Sequence, residues 1–381
     1  MKKAFVTTIS LMLCILFLIS GCGPKANDEP IVVGLVAALS GNSASAGESI
    51  VRGAELAVEQ VNAAGGINGR PIKLVKEDDE NTPAKSVSAV NKLISNDKVI
   101  AIIGTNNSSC TLADMQVTQA AELPHICPAA SNVKITSSGN PWIVNMNASD
   151  KHQASAAVLY AIDKLGAERI ALMYQSDDYG IGGKEVIEAT LQERGMQLVA
   201  AEAFESAATD MNAQLLNIKK GDPQVLLLWT MHQPAALICR QARQLGMKDV
   251  QFIGGGGTSN SMLYELGKEA AEGFLNTQTF LADESSASPA AQQYIKDFKA
   301  KYDGLLPDSN SAQAYDCVMI LADALKQASP DLKNTDIMQN LKSIKDRVCV
   351  TGNISFDEGG AAVRDILLVR TKVGGGYEIA N

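Results

Sequence analysis

Four short segments carry side chains suited to holding a small molecule. The first is Ser108-Ser109-Cys110-Thr111, which follows the apolar run Val99 to Gly104. Hydroxyl residues that open a helix directly after a strand make a ready anion site. Unpaired backbone N–H groups and the positive end of the helix dipole point outward, and the hydroxyls add donors. The plainer reading is that Ser108 or Ser109 simply caps the helix. The second segment is Asp177-Asp178-Tyr179-Gly180, where the Tyr179 ring can cover a ligand and its hydroxyl can bond to one. Asp177 and Asp178 either attract an amine or are solvated turn residues. The third is the strand end carrying Trp229 and Met231, which line a specificity pocket or pack on a neighbouring helix. The fourth is the run Gly254-Gly255-Gly256-Gly257.

Catalytic signatures are missing. The chain has no P-loop, no GxSxG, no HExxH and no GxGxxG after its first strand, and no Lys follows the glycine run. Three His (His125, His152, His232) lie far apart and no CxxC pair occurs, so no metal site and no cofactor is expected. Cys110, Cys127, Cys239, Cys317 and Cys349 are scattered and odd in number, which suits small core hydrophobes better than a disulfide framework. A Cys110–Cys127 bridge stays open.

Alternating strands and helices must position these segments. Ile31 to Leu39 reads as a strand buried on both faces, followed by a Ser/Gly/Ala loop and a helix over Glu48 to Ala64. Ile72 to Val75, Val99 to Gly104 and Pro124 to Pro128 read as strands, with helices at Pro83 to Ser95 and Ser109 to Glu122 between them. The pattern restarts at strand Arg169 to Tyr174 and continues through strands Leu198 to Ala201, Val225 to Trp229 and Val250 to Ile253. Helices are read near Met211 to Lys219 and Pro234 to Leu245 between these strands. Two parallel α/β units of similar layout follow, and such sheets bind ligands at the carboxyl ends of their strands. The C-terminal third reads as helices at Ala290 to Tyr302, Ser311 to Gln327 and Thr335 to Ile344, and strands at Asn353 to Asp357 and Arg364 to Arg370.

The 381 residues suit two domains, and the net charge of −9 without a basic block excludes a nucleic-acid partner. At the N-terminus, Lys2 and Lys3 precede the apolar run Ala4 to Ile19 and the segment Leu18 to Cys22 (LISGC). Charge, apolar run, small residues and Cys in that order resemble the export signal and lipobox of a bacterial lipoprotein. Residues 1–22 are then the signal, with lipid on Cys22, and 23–30 a tether. An extracytoplasmic location follows, with the lipid as the membrane anchor.

The ordered motifs along the rest of the chain resemble the leucine/isoleucine/valine-binding family of ABC-transporter substrate-binding proteins. They are LSG at Leu39, GAELAVEQVNAAGGINGRPIKLVKEDD from Gly53, IIGTNNSS from Ile102, PAAS from Pro128, DDYG from Asp177, RQARQLG from Arg240 and FDEGG from Phe356. The resemblance covers about Ile31 to Ile379. It implies a type I periplasmic-binding fold of the α/β class: two doubly wound parallel-sheet lobes joined by three crossovers, with a ligand cleft between. Lobe 1 would be 31–146 and 281–350, and lobe 2 147–280 and 351–381, with crossovers near Met146 to Asp150, Asn276 to Leu281 and Thr351 to Asp357. It also implies a monomer that closes on a small-molecule ligand, an amino acid or other small carboxylate. An ABC permease and ATPase would be its partners, and it would have no enzymatic activity. In the family the ligand carboxylate is gripped at the positions of Ser108, Ala129 (through its backbone) and Ser131, and an aromatic of the second lobe stands at Tyr179.

Departures from the family pattern matter for the ligand. Amino-acid binders carry an acid that holds the ammonium; here Gly256 stands there. Asp178, Glu205 or Asp316 would have to replace it, or the ligand lacks the amine. Ala46 stands where an aromatic is common, and the family's disulfide positions, around Asp78 to Asn81 and Asn106-Asn107, hold no Cys. A non-amino ligand such as an aromatic acid or amide, and a sensory role for the same fold, stay open.

Overall fold

The computed structural model describes residues 29–283 and 287–380; the signal, the lipobox Cys22 and most of the tether lie outside them. The first sheet holds β1 (Ile31–Ala37), β2 (Ile72–Asp78), β3 (Ile102–Ile103), β4 (His125–Cys127) and β5 (Ile143–Asn145). Its order is β2-β1-β3-β4-β5, and every pairing is parallel. The helices between these strands are α1 (Ala44–Ala63), α2 (Pro83–Ser95), α3 (Ser108–Ala120) and the short α4 (Lys134–Ser137). β1 is an unbroken apolar run because helices cover both faces of its sheet.

The chain crosses to the second lobe through α5 (Asp150–Asp163), a helix the sequence pattern did not announce. There follow β6 (Ile170–Gln175), α6 (Asp178–Glu193), β7 (Ala200–Phe204), α7 (Asn212–Lys220), β8 (Val225–Trp229), α8 (His232–Gln244), β9 (Gln251–Gly254), α9 (Met262–Gly267) and β10 (Leu275–Gln278). After the second crossover come α10 (Pro289–Lys301), α11 (Ser309–Gln327), α12 (Asn334–Lys342), β11 (Arg347–Cys349), β12 (Gly352–Phe356) and β13 (Ala362–Val363). β14 (Leu367–Thr371) and β15 (Tyr377–Ile379) end the chain on the second sheet, whose order is β15-β14-β10-β9-β8-β6-β7.

One boundary differs from expectation. Cys349, Ile354, Phe356 and Ala362 pack into the first core with β1 and α11, so the chain returns to the second sheet after Val363 and not at Thr351. The reason is the third sheet, β11-β12-β13, whose short antiparallel ribbon must bury its inner face on that core. Other element ends differ by a few residues, most in the strands: only Ile102–Ile103 of the run Val99 to Gly104 pairs as strand.

Capping chemistry sets the helix ends at the cleft. Asn107 caps α3 by accepting from Ser109 N, and Asp177 caps α6 by accepting from Gly180 N. All five cysteines from Cys110 to Cys349 are buried free thiols, Cys110 and Cys127 included. Among the described residues no helix is long and apolar enough to cross a membrane.

Candidate functional site

The carboxyl ends of both sheets face one cleft, and the N-termini of α3, α5, α6 and α8 converge there. The cleft is closed by direct bonds between lobes. Ser45 Oγ and His232 Nε2 are 3.0 Å apart. Asp178 N donates to Ser109 Oγ at 3.2 Å, and Asn132 Nδ2 donates to the Asp178 carbonyl. A Cβ at Gly182 would strike the Asn132 amide, so only glycine lets α6 approach this closely. The space left inside is a cavity of about 30 Å³ walled by both lobes, among others by Ala46, Ala129, Met231 and Gln313. That is room on the scale of one or two waters, so a solute enters only when the lobes part.

Each residue singled out from sequence lies at or beside this cleft. Ser108 is buried, and its Oγ accepts from Asn132 N at 3.3 Å. The cap of α3 is Asn107, so neither Ser108 nor Ser109 serves as the N-cap. Ser109 is instead a contact between lobes. Ala129 lines the cavity, and its carbonyl accepts from Asn147 Nδ2. Ser131 donates its hydroxyl to Asp150 Oδ1 at 2.8 Å, and its carbonyl accepts from Asp150 N at 2.7 Å. Tyr179 is buried, its phenol oxygen accepting from Gly257 N at 3.2 Å. Trp229 is wholly buried and off the cavity wall; its Nε1 donates to Asp150 Oδ1 at 3.1 Å. Met231 lines the cavity directly.

Gly256 has a steric reason. Its N–H donates to Gln153 Oε1 at 2.9 Å, and a Cβ there would sit 2.8 Å from the same oxygen. Gln153, from α5, fills the space a side chain at 256 would take, and it also accepts from Thr277 Oγ1 at 2.9 Å.

The three acids named as replacements do not fill the role. Asp178 is exposed at the start of α6; Glu205 is exposed and accepts from Ser176 Oγ at 2.8 Å. Asp316 is buried under the third sheet, where it accepts from Val350 N and Thr351 N at 3.0 Å each. Asp177 is occupied as a cap and by Gln175 Nε2 at 2.6 Å.

A fourth acid, Asp150, lies behind the cavity wall, beside Ser131 and Trp229. It is fully buried at the first turn of α5, and its Oδ2 has no partner among the described residues. Burial raises its carboxyl from 3.8 to about 7, against the opposing effect of the Ser131 and Trp229 donors. Sequence reading missed it because α5 itself was not recognised. Its signals were Ser149-Asp150 ahead of an alanine-rich amphipathic stretch. Asn106 was also missed. It lines the cavity, 7% exposed, with Oδ1 accepting from Ala38 N at 3.2 Å and Nδ2 without a partner.

Burial lowers both His125 and His232 to about 4, so these two are neutral at pH 7. Among the described residues no group of three or more His, Cys, Asp or Glu is arranged to hold a metal.

Comparison with known proteins agrees with this architecture. The family model for periplasmic binding proteins matches residues 30–376. An amino acid binding protein of Pseudomonas aeruginosa is 31% identical over 300 residues, 78% of this chain and 79% of that protein. The Leu/Ile/Val-binding protein of Escherichia coli is 30% identical over 289 residues, covering 74% and 77% of the two chains. Among solved structures, a branched-chain amino acid transporter substrate-binding protein from Streptococcus pneumoniae in complex with isoleucine superposes with a TM-score of 0.85. It is 28% identical and spans 92% of this chain and 99% of its own.

Proposed function

The chain belongs to the periplasmic binding protein family, and from that premise we propose that it is a receptor that captures a free α-amino acid and delivers it to an ABC importer. Members of this family bind solutes and do not transform them. The family places the folded part outside the cytoplasm; the lipid on Cys22, the permease and ATPase partners and the monomeric state belong to the proposal.

The observation that carries the reading is the pairing of Asp150 with Ser131. An α-amino acid presents a carboxylate and an ammonium on one carbon, a few ångströms apart. The site needs donors for the first and a buried acceptor for the second. The N-terminus of α3 at Ser108 and the backbone at Ala129 are the donors. Asp150, one hydrogen bond from Ser131 and with a free Oδ2, is the acceptor. A non-amino acid such as an aromatic carboxylate would leave that buried oxygen unsatisfied. The relatives named as amino acid binders and the isoleucine-bound neighbour support the same choice.

The test is a thermal-shift screen of the purified mature chain against the common L-amino acids and a set of aromatic carboxylates. The reading expects one or more amino acids to raise the melting temperature. A shift with aromatic acids alone would overturn it. Loss of palmitate labelling in Cys22→Ser tests the anchor.

A further inference from the structure

We propose that the site selects an amino acid whose side chain is polar and uncharged, a carboxamide or a hydroxyl, over a branched aliphatic one. This rests on the amino-acid reading above and names the class of ligand within it.

The cavity wall carries the argument. Of its fifteen lining residues, ten bear an amide or a hydroxyl and none is ionisable. The rest are Ala46, Ala129, Met231 and two glycines. The large rings suited to cradle an aliphatic chain lie behind this wall. Trp229 is bonded to Asp150, and Tyr179 to Gly257.

Several of the amides are braced, so the polar surface is already in place before a solute arrives. Gln313 lies 2.7 Å from Thr279 Oγ1 and 2.9 Å from Asn147 Oδ1, and Gln153 holds Gly256 and Thr277. Asn106 is different: its Nδ2 is a buried donor on the cavity wall with nothing to bond. A ligand carbonyl or hydroxyl oxygen satisfies it.

Closure expels water from this wall. A leucine side chain would then leave amides facing carbon, and each such group loses a hydrogen bond it had in water. A carboxamide offers both a donor and an acceptor in return. A charged side chain fares no better than leucine, because no counter-ion stands on the wall to replace its hydration.

Isothermal titration of the mature chain with L-glutamine, L-asparagine, L-serine, L-threonine, L-leucine, L-isoleucine, L-valine, L-glutamate and benzoate tests the assignment. At least one polar uncharged amino acid should bind roughly tenfold or more tighter than every branched-chain one. In Asn106→Ala that preference should shrink from both sides, polar ligands binding more weakly and leucine, relieved of one unpaired amide, binding at least as tightly as before. A branched-chain amino acid or glutamate binding as tightly as any polar uncharged one overturns this inference and leaves the amino-acid reading standing. Benzoate binding with no amino acid bound overturns both. The wild-type panel alone decides the matter if the variant does not fold.

Discussion

Replacing Asp150 by Asn is the most informative single change. The carboxamide keeps an oxygen for the Ser131 hydroxyl and the Trp229 indole N–H, so packing is conserved while the charge is removed. In the native chain the folded state holds a proton on Asp150 up to about pH 7, whereas the unfolded chain releases it near 3.8. The folded pKa is raised, so this group's favourable contribution is complete below about 3.8 and is lost as pH climbs to 7. At roughly 1.4 kcal/mol per pH unit that span is worth on the order of 4 kcal/mol. Urea unfolding of the two proteins between pH 4 and 9 measures it. The stability of Asp150→Asn relative to wild type should rise by about this amount from pH 4 to pH 8, then level off. Binding supplies the opposite sign. An ammonium beside Asp150 ionises it, so ligand binding to wild type near pH 6 should release close to one proton. Titration calorimetry in buffers of different ionisation enthalpy reads that proton directly. In Asp150→Asn the release should vanish and affinity should fall by at least ~2 kcal/mol. Parallel stability curves, together with proton-free binding in wild type, would refute the reasoning.

Three further outcomes test other parts of the site. Ser108→Ala should weaken the ligand by ~1–3 kcal/mol by titration calorimetry, and unchanged affinity would remove Ser108 from the site. Gly183→Ala drives a Cβ into the Trp229 indole and should lower stability by about 1–3 kcal/mol in urea unfolding. Asp114, buried with one hydrogen bond from Ser86, is raised to about 7 by burial. Asp114→Asn should therefore reduce, by its own share, the loss of stability between pH 4 and 7 to which Asp150 also contributes, and leave stability below pH 4 little changed.

Much of the architecture was legible because its cause is local. The apolar run at β1, the helix stops at Gly65-Gly66 and the repeated strand–helix pattern follow from burial on two faces and from backbone stereochemistry. The segments at Ser108 and Tyr179 were legible for the same reason: they sit where strands end and helices begin; Ser131 came only from the family resemblance. The helix over 150–163 was not, since its apolar face is built mostly from alanines (Ala154, Ala157, Ala161) that give weak contrast with their neighbours. Missing that helix meant missing Asp150 and Gln153 with it.

By itself the chain's order of residues determined two α/β units and a hydroxyl-opened helix facing their edge; the family resemblance added a glycine at 256 where an acid is expected. Only the tertiary structure decided what those features mean. It brought Ser131 and Asp150 within 2.8 Å although they belong to different lobes, and it set Gln153 against a glycine 103 positions away. Such contacts arise when separate elements are packed into one cleft. The preference of a buried carboxyl for its proton, or of an unpaired amide for a ligand, is a property of that packing and of the water it excludes.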